Sequence, residues 1–235
     1  PPRSTLFPYT TLFRSCHLSS TARGEMPQSA TSDALLAACK SGDARSAARI
    51  LRRDGSLANC ADSDGRSPLF WASFKGHESV VRLLLKNGAT IDSADRMGWT
   101  PLWVACETGQ DTTALLLLEK GASNNHADND GCTPLFIACQ NGHESTARLL
   151  LGKGATVDLA KNSGATPLYI ACQEGHESTA RLLLGNGATV DLANNNGVTP
   201  LFIACENGHE STARLLPIGC APCRERGASS VGAAT

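Results

Sequence analysis

The chain repeats one short phrase at a fixed interval of 33 residues. The phrase is Ser/Thr-Pro-Leu, and its five copies begin at Ser67, Thr100, Thr133, Thr166 and Thr199. A glycine follows each copy at a constant offset, at Gly76, Gly109, Gly142, Gly175 and Gly208. A strict period of this length is typical of small units stacked on copies of themselves, each touching only its neighbours. The sequence therefore predicts an extended fold with a binding surface rather than a deep catalytic pocket.

Composition and charge narrow the classes of partner. Hydrophobic residues make up 41% of the chain but aromatic residues only 5%, so the stacked units must pack through small aliphatic side chains. Residues 61–216 carry 11 Lys/Arg against 17 Asp/Glu, a net charge of −6. An acidic block repels phosphates, which argues against nucleic acid as a partner and favours a basic protein surface.

Nothing in the sequence indicates a membrane protein or a secreted one. No apolar run approaches the 18 residues that a membrane span requires. The first 25 residues also lack the basic-then-apolar order of a signal peptide. We therefore expect the protein to work in the cytoplasm or the nucleus.

Residues 133–165 show how one unit is built. Thr133 is placed as an N-cap whose hydroxyl accepts from a free backbone N–H, and Pro134 follows where its missing N–H costs nothing. A first helix is predicted to end near Gly142, and a second helix spans about 143–152. Gly154 suits a left-handed helix end, and an extended arm then turns at 162–164. The unit is a helix, a turn, a second helix and a projecting loop.

This pattern resembles the ankyrin repeat family, whose signature is Asp/Asn-x-x-Gly-x-Thr-Pro-Leu-x-x-Ala, then Gly-His and Leu-Leu-x-x-Gly-Ala. The third copy matches it at Asp128, Gly131, Thr133-Pro134-Leu135, Ala138, Gly142-His143, Leu149-Leu150 and Gly154-Ala155. The resemblance covers about residues 33–216. It implies an all-α fold: an ankyrin-repeat α-solenoid of stacked helix-turn-helix units with projecting β-turn loops.

The same resemblance divides the chain into segments. Residues 33–66 look like an N-terminal capping repeat, which lacks the Thr-Pro-Leu phrase and carries a basic outer face. Residues 67–216 hold five repeats, starting at 67, 100, 133, 166 and 199, the last of them incomplete. Residues 26–32 form a leader. In the incomplete repeat, Pro217 should stop the helix and leave Leu215 and Leu216 partly exposed.

The two ends of the chain do not resemble the repeats. Residues 1–25 are interpreted as non-native or disordered, because residues 1–15 match the translation of a common short-read sequencing adapter. Met26 is then the expected natural start. Residues 217–235, rich in Cys, Gly and Ala, are interpreted as a disordered or frameshifted tail. Further repeats or a catalytic domain after residue 216 remain open.

One column departs from the family pattern. The family usually has a histidine after Thr-Pro-Leu, which hydrogen-bonds at the junction of loop and helix. This chain has aromatic residues there instead: Phe70, Trp103, Phe136, Tyr169 and Phe202. The histidine bond is lost, so apolar packing should replace it. Two interpretations are open for the rings, packing along the stack or partial exposure as a binding ridge.

In ankyrin proteins the concave face, built from loop tips and first helices, usually contacts the partner. Carried over by position, the candidate partner-binding residues are Arg66, Phe70, Phe74, Trp99, Trp103, Glu107, Phe136, Gln140, Tyr169, Gln173, Phe202 and Glu206. Trp99 and Trp103 are the strongest candidates, because aromatic anchors dominate interface energies. Their joint replacement by alanine should weaken partner binding and leave the helices intact.

Two repeating columns could be mistaken for chemistry. Cysteines recur at Cys39, Cys106, Cys139, Cys172 and Cys205. Stacked helices lie about 8–10 Å apart, too far for disulfides, so buried free thiols are expected. Histidines recur at His77, His143, His176 and His209. Zinc holds its ligands at about 2 Å, so successive histidines at that spacing cannot share one ion. No metal or other cofactor is expected.

The leading hypothesis is a non-catalytic scaffold that binds a partner protein on the concave face. No Ser/His/Asp or Cys/His set stands out from the periodic pattern, so we expect no enzyme activity. The alternative is a targeting module cut from a larger multidomain enzyme, a kinase or ubiquitin ligase, or from a channel. The identity of the partner does not follow from the sequence.

Overall fold

A computed structural model describes residues 28–217, and within that range the regular structure is helical. The predictions for residues 1–25 and for 218–235 lie outside the described residues. Twelve α-helices and one short 3-10 helix (Gly55–Asn59) form the described part of the chain. In chain order the α-helices are α1 Gln28–Ser41, α2 Ala44–Arg53, α3 Pro68–Phe74, α4 Glu78–Lys86, α5 Pro101–Glu107, α6 Asp111–Glu119, α7 Pro134–Gln140, α8 Glu144–Gly152, α9 Pro167–Gln173, α10 Glu177–Gly185, α11 Pro200–Glu206 and α12 Glu210–Ala213.

The Ser/Thr-Pro-Leu phrase starts the first helix of every repeat, as the sequence predicts. In the third repeat the hydroxyl oxygen of Thr133 accepts from the N–H of Phe136 at 3.1 Å, and Pro134 is the first helical residue. The same cap recurs at Ser67, Thr100, Thr166 and Thr199. A cap satisfies a backbone donor that the helix leaves unpaired, and the proline has no donor to lose. Each phrase is therefore a local helix-start signal.

The helices stack in two layers. Each first helix (α1, α3, α5, α7, α9, α11) packs against the first helix of the next unit, and the second helices form a parallel row behind them. Leucines of the phrase, such as Leu102, Leu135 and Leu168, are buried between the layers. One continuous hydrophobic core runs through all the repeats. Because each repeat buries its apolar face only against its neighbours, the core lengthens with every copy.

The histidine column links one repeat to the one before it. Nε2 of His176 lies 3.0 Å from the carbonyl oxygen of Gln140, the last residue of α7 in the preceding repeat. His143 and His209 make equivalent contacts at 3.0 Å with Glu107 and Gln173. The loops are also joined, since the Asn162 amide N–H donates to the Asp130 carbonyl at 3.0 Å. The histidines thus satisfy helix-end carbonyls across the repeat boundary.

The last repeat departs from two expectations. The cysteine column is buried in the earlier units, but Cys205 is exposed. Its neighbours on the later side of the stack are missing from the described chain, so the prediction of burial was wrong there. The helix α12 ends at Ala213, before Pro217. Leu215 is partly exposed, whereas Leu216 is buried with 3% of its surface accessible. The expectation for Leu216 was therefore wrong.

One column of buried threonines gives a stability prediction. Thr146 donates its hydroxyl to Asp111 of the preceding repeat. In the next repeat Thr179 is equally buried, but its hydroxyl has no hydrogen-bond partner. The residue opposite Thr179 is Glu144, which pairs instead with Arg148 one helical turn away. Asp111 has no arginine at that spacing, because Leu115 stands there. The two threonines therefore have the same burial and different hydrogen bonding.

We expect Thr179→Val to raise the free energy of unfolding by about 1 kcal/mol, because it removes an unpaired buried hydroxyl and keeps the branched shape. Thr146→Val is the matched control and should lower it by about 1 kcal/mol, since the bond to Asp111 is lost. Urea denaturation followed by circular dichroism measures both. Equal destabilisation by the two substitutions would contradict the assignment.

Candidate functional site

The aromatic column packs inside the stack. Four of its rings are almost inaccessible to solvent: Phe70 (3%), Trp103 (3%), Phe136 (0%) and Tyr169 (6%). Only Phe202, in the last repeat, is partly exposed. A buried ring has no surface to offer a partner, so this burial favours packing over the binding-ridge interpretation. The expectation that Trp103→Ala leaves the fold intact is corrected for the same reason.

Polar bonds partly replace the family's histidine. The indole N–H of Trp103 donates to the carbonyl oxygen of Cys132 at 3.0 Å, in the loop of the next repeat. The hydroxyl of Tyr169 accepts from the Asn194 side-chain amide at 3.2 Å, again in the next loop. Apolar packing alone was the expectation, and it is wrong for these two residues. Their polar ends tie a first helix to the loop that follows it in the stack.

An open pocket of about 220 Å³ lies where the repeat starting at 67 meets the repeat starting at 100. Its lining combines rings with one cationic and one anionic side chain: Arg66, Phe70, Trp71, Phe74, Trp99 and Glu107. We call it the aromatic pocket. Five of these six residues were predicted from the sequence as partner contacts, so the structure brings that part of the candidate set together.

The rings of the aromatic pocket are held by one another. Trp99 stacks on Trp103 with ring centroids 4.8 Å apart and an angle of 6° between the planes. Trp71 meets Phe70 and Phe74 edge to face at 5.5 and 6.1 Å. Both arrangements are favoured by the quadrupoles of aromatic rings. The buried rings therefore act as a base that fixes the orientation of the partly exposed ones.

The two charges of the aromatic pocket differ in how they are satisfied. Arg66 lies 3.3 Å from a carboxylate oxygen of Asp64 and 3.3 Å from one of Asp95. The Glu107 carboxylate has no ion pair or hydrogen bond among the described contacts, and partial burial raises the pKa of its carboxyl. The pocket therefore contains a compensated cation and an uncompensated anion.

Sequence analysis missed Trp71, whose ring lines the pocket. Its indole N–H donates to Asp62 at 3.0 Å, and the ammonium of Lys40 lies 4.1 Å from its ring centroid. The internal comparison contained a signal, because later repeats have Val104, Ile137, Ile170 and Ile203 at this position. A tryptophan in a column of aliphatic residues marks a unit with a different surface.

The remaining candidates lie along the other repeats and do not gather into one site. Gln140 and Gln173 end their first helices and are partly exposed, and Glu206 is fully exposed. Each occupies the position of Glu107 in its own repeat. Their shared face carries no second tryptophan pair, since Cys132, Ala165 and Val198 stand where Trp99 does.

A larger groove of about 960 Å³ lies on the opposite layer, between α8 and α10. Its charges are already paired within their own helices, Glu144 with Arg148 and Glu177 with Arg181. Such exposed pairs contribute little and create no demand for a ligand. The groove therefore carries a weaker argument for binding than the smaller aromatic pocket.

The described residues offer little for metal or thiol chemistry. Between residues 28 and 217, no group of three or more His, Cys, Asp or Glu side chains is placed to hold a metal ion. Burial raises the pKa of the Cys39 and Cys172 thiols to about 12. It also raises the pKa of Cys106 and Cys139. These thiols stay protonated at neutral pH and serve as packing residues.

Fold and surface together define a helical repeat protein, with stacked helix pairs, cross-linked loops and a shallow pocket between units. The family model described as ankyrin repeats, three copies, matches residues 22–95, 91–161, 117–194 and 157–224. The chain belongs to the ankyrin repeat family, whose repeats generally act as protein–protein interaction modules and are typically non-catalytic. The search of curated proteins found no match. Among the described helices, none combines the length and apolar character needed to cross a bilayer.

Proposed function

We propose that this protein is a non-catalytic scaffold that binds a partner protein through the face formed by its loop tips and first helices. The observation that carries the proposal is the aromatic pocket, which leaves rings and an uncompensated carboxylate open on that face. Partly exposed aromatic side chains on a rigid base are the usual anchors of protein interfaces. The repeats hold the pocket in place, and it needs no chemistry of its own.

The proposal includes several exclusions, each with its own support. The net charge of −6 over residues 61–216 argues against nucleic acid, since phosphates would be repelled. The paired or periodic carboxylates and histidines support a role without enzyme activity, metal or membrane. Free buried thiols suit a reducing compartment, which supports the cytoplasm or the nucleus. Residues 33–66 serve as the cap of the stack, and residues 67–216 form its five repeats.

Site-specific photocrosslinking tests which face binds. A benzophenone amino acid replaces Phe74 at the rim of the aromatic pocket, or Arg148 on the opposite layer as the control. The Phe74 variant should capture a partner on illumination, and the Arg148 variant should not. The captured protein is then identified and produced, and its affinity for the unmodified chain is measured. Preferential capture at Arg148 would contradict the proposal.

Trp99→Ala should weaken binding of that partner by about 30-fold, which corresponds to about 2 kcal/mol for a lost aromatic anchor. Trp99 is only partly buried, so the fold should survive with about 1 kcal/mol of lost ring stacking. Isothermal titration calorimetry measures the affinity, and circular dichroism checks the helices. Arg148→Ala is the control and should bind normally. Unchanged affinity of Trp99→Ala in an intact fold would count against this face.

A further inference from the structure

We infer that the aromatic pocket receives a basic side chain, a lysine or an arginine, from the partner protein. This inference rests on the proposed function and names the chemistry that the site recognises. It is carried by one juxtaposition: a partly buried, uncompensated Glu107 carboxylate in a pocket lined by Trp71, Phe74 and Trp99.

The Glu107 carboxylate decides the sign of the occupant's charge. An apolar side chain in the pocket would remove more water from this carboxylate and return nothing, which is unfavourable for a charged group. An acidic side chain would add repulsion. A basic side chain would provide the missing counter-charge, and its aliphatic stem would cover the rings. The raised pKa of the Glu107 carboxyl has the same origin, because burial without a partner disfavours the charge.

The neighbouring cations of the chain do not fill this role. Arg66 is compensated by Asp64 and Asp95, at 3.3 Å each. Lys40 lies 4.1 Å from the ring centroid of Trp71, and Lys75 lies 5.0 Å from that of Phe74, yet neither lysine lines the pocket. These contacts show that rings of this cluster hold cations, as cation–π attraction predicts. The pocket itself keeps an unpaired acidic group.

The other repeats lack this combination. Gln140 and Gln173 stand at the position of Glu107, so the next two repeats present neutral amides. Glu206 restores the carboxylate in the last repeat, but it is exposed and has Val198 in place of Trp99. The chain therefore contains its own controls: the neutral replacement that other repeats use, and an equivalent glutamate outside any aromatic pocket.

The three tryptophans of the sequence allow a direct test in the full chain. Trp71 and Trp99 line the pocket and Trp103 stacks on Trp99, so indole fluorescence and indole N–H resonances report on this site. The probes are N-acetyl-lysine amide and N-acetyl-arginine amide. N-acetyl-norleucine amide supplies a matched apolar side chain, and N-acetyl-glutamate amide supplies a negative one. Saturable shifts with at least one basic probe, about tenfold tighter than with norleucine, are expected.

Two variants complete the test. Glu107→Gln should weaken binding of the basic probe by about tenfold and leave norleucine binding unchanged, since only the ion pair is lost. Glu206→Gln should change neither. The inference is overturned if norleucine or the glutamate probe binds as tightly as the basic ones, or if Glu107→Gln binds like the parent chain. Loss of photocrosslinking at Phe74 would instead overturn the proposed function, so the two failures are distinguishable.

Discussion

Replacing Trp103 by alanine should lower the free energy of unfolding by about 4 kcal/mol, the range found for removing a buried aromatic side chain. The indole is 3% exposed, and it links three parts of the fold. Its ring stacks on Trp99 at 4.8 Å, and its N–H donates to the Cys132 carbonyl at 3.0 Å. Alanine would leave a cavity and an unpaired carbonyl between two repeats. Urea denaturation followed by circular dichroism measures the loss.

Trp103→Phe is the matched control, because Phe70, Phe136 and Phe202 occupy the same position in other repeats. Phenylalanine keeps a buried ring and loses only the hydrogen bond and part of the volume, so a loss of about 1–2 kcal/mol is expected. If Trp103→Ala costs less than Trp103→Phe, the ring is not the packing residue that its burial indicates. This result separates Trp103, a core residue, from Trp99, which we propose as a contact residue.

Gly142→Ala should lower the free energy of unfolding by about 3 kcal/mol, through backbone strain and a clash across the repeat boundary. Gly142 has a φ of +70°, a conformation that side chains rarely adopt. An added Cβ would lie 2.7 Å from Nδ1 of His176. The imidazole would have to move, and its contact of 3.0 Å with the Gln140 carbonyl would be lost. Chemical denaturation of the purified variant measures the change.

Gly154→Ala separates the two causes. Gly154 has a φ of +83°, but a Cβ there would meet nothing within 4 Å. It should therefore cost only the strain, about 1–2 kcal/mol. A second control removes the imidazole: in a His176→Ala background, Gly142→Ala should cost no more than Gly154→Ala. Equal costs for the two glycines in the parent chain would show that the histidine does not constrain this position.

Much of the fold follows from local signals that can be read along the chain. Thr133 and Pro134 start a helix wherever their phrase occurs, because capping and proline geometry act over a few residues. The period of 33 residues then repeats that unit, and stacking is how such a unit buries its apolar face. The two-layer architecture and the helix bounds of the third repeat were accordingly predictable.

The site was predictable only in part. Position in the repeat placed Arg66, Phe74, Trp99 and Glu107 on one face, and the aromatic pocket does contain them. It did not distinguish Trp103 from Trp99, although the two are four residues apart in one helix entrance. Trp71 was overlooked because its column is aliphatic in the other repeats.

The sequence by itself determined the repeated unit, the number of Ser/Thr-Pro-Leu copies and the sign of the charge along them, because these depend on local residue chemistry. The tertiary structure decided which rings are covered, which carboxylate lacks a counter-ion and which hydroxyl lacks an acceptor. Those properties depend on what the adjacent repeat places opposite each side chain. A side chain's surroundings in a stack come from residues about 33 positions away, and small differences between copies change them.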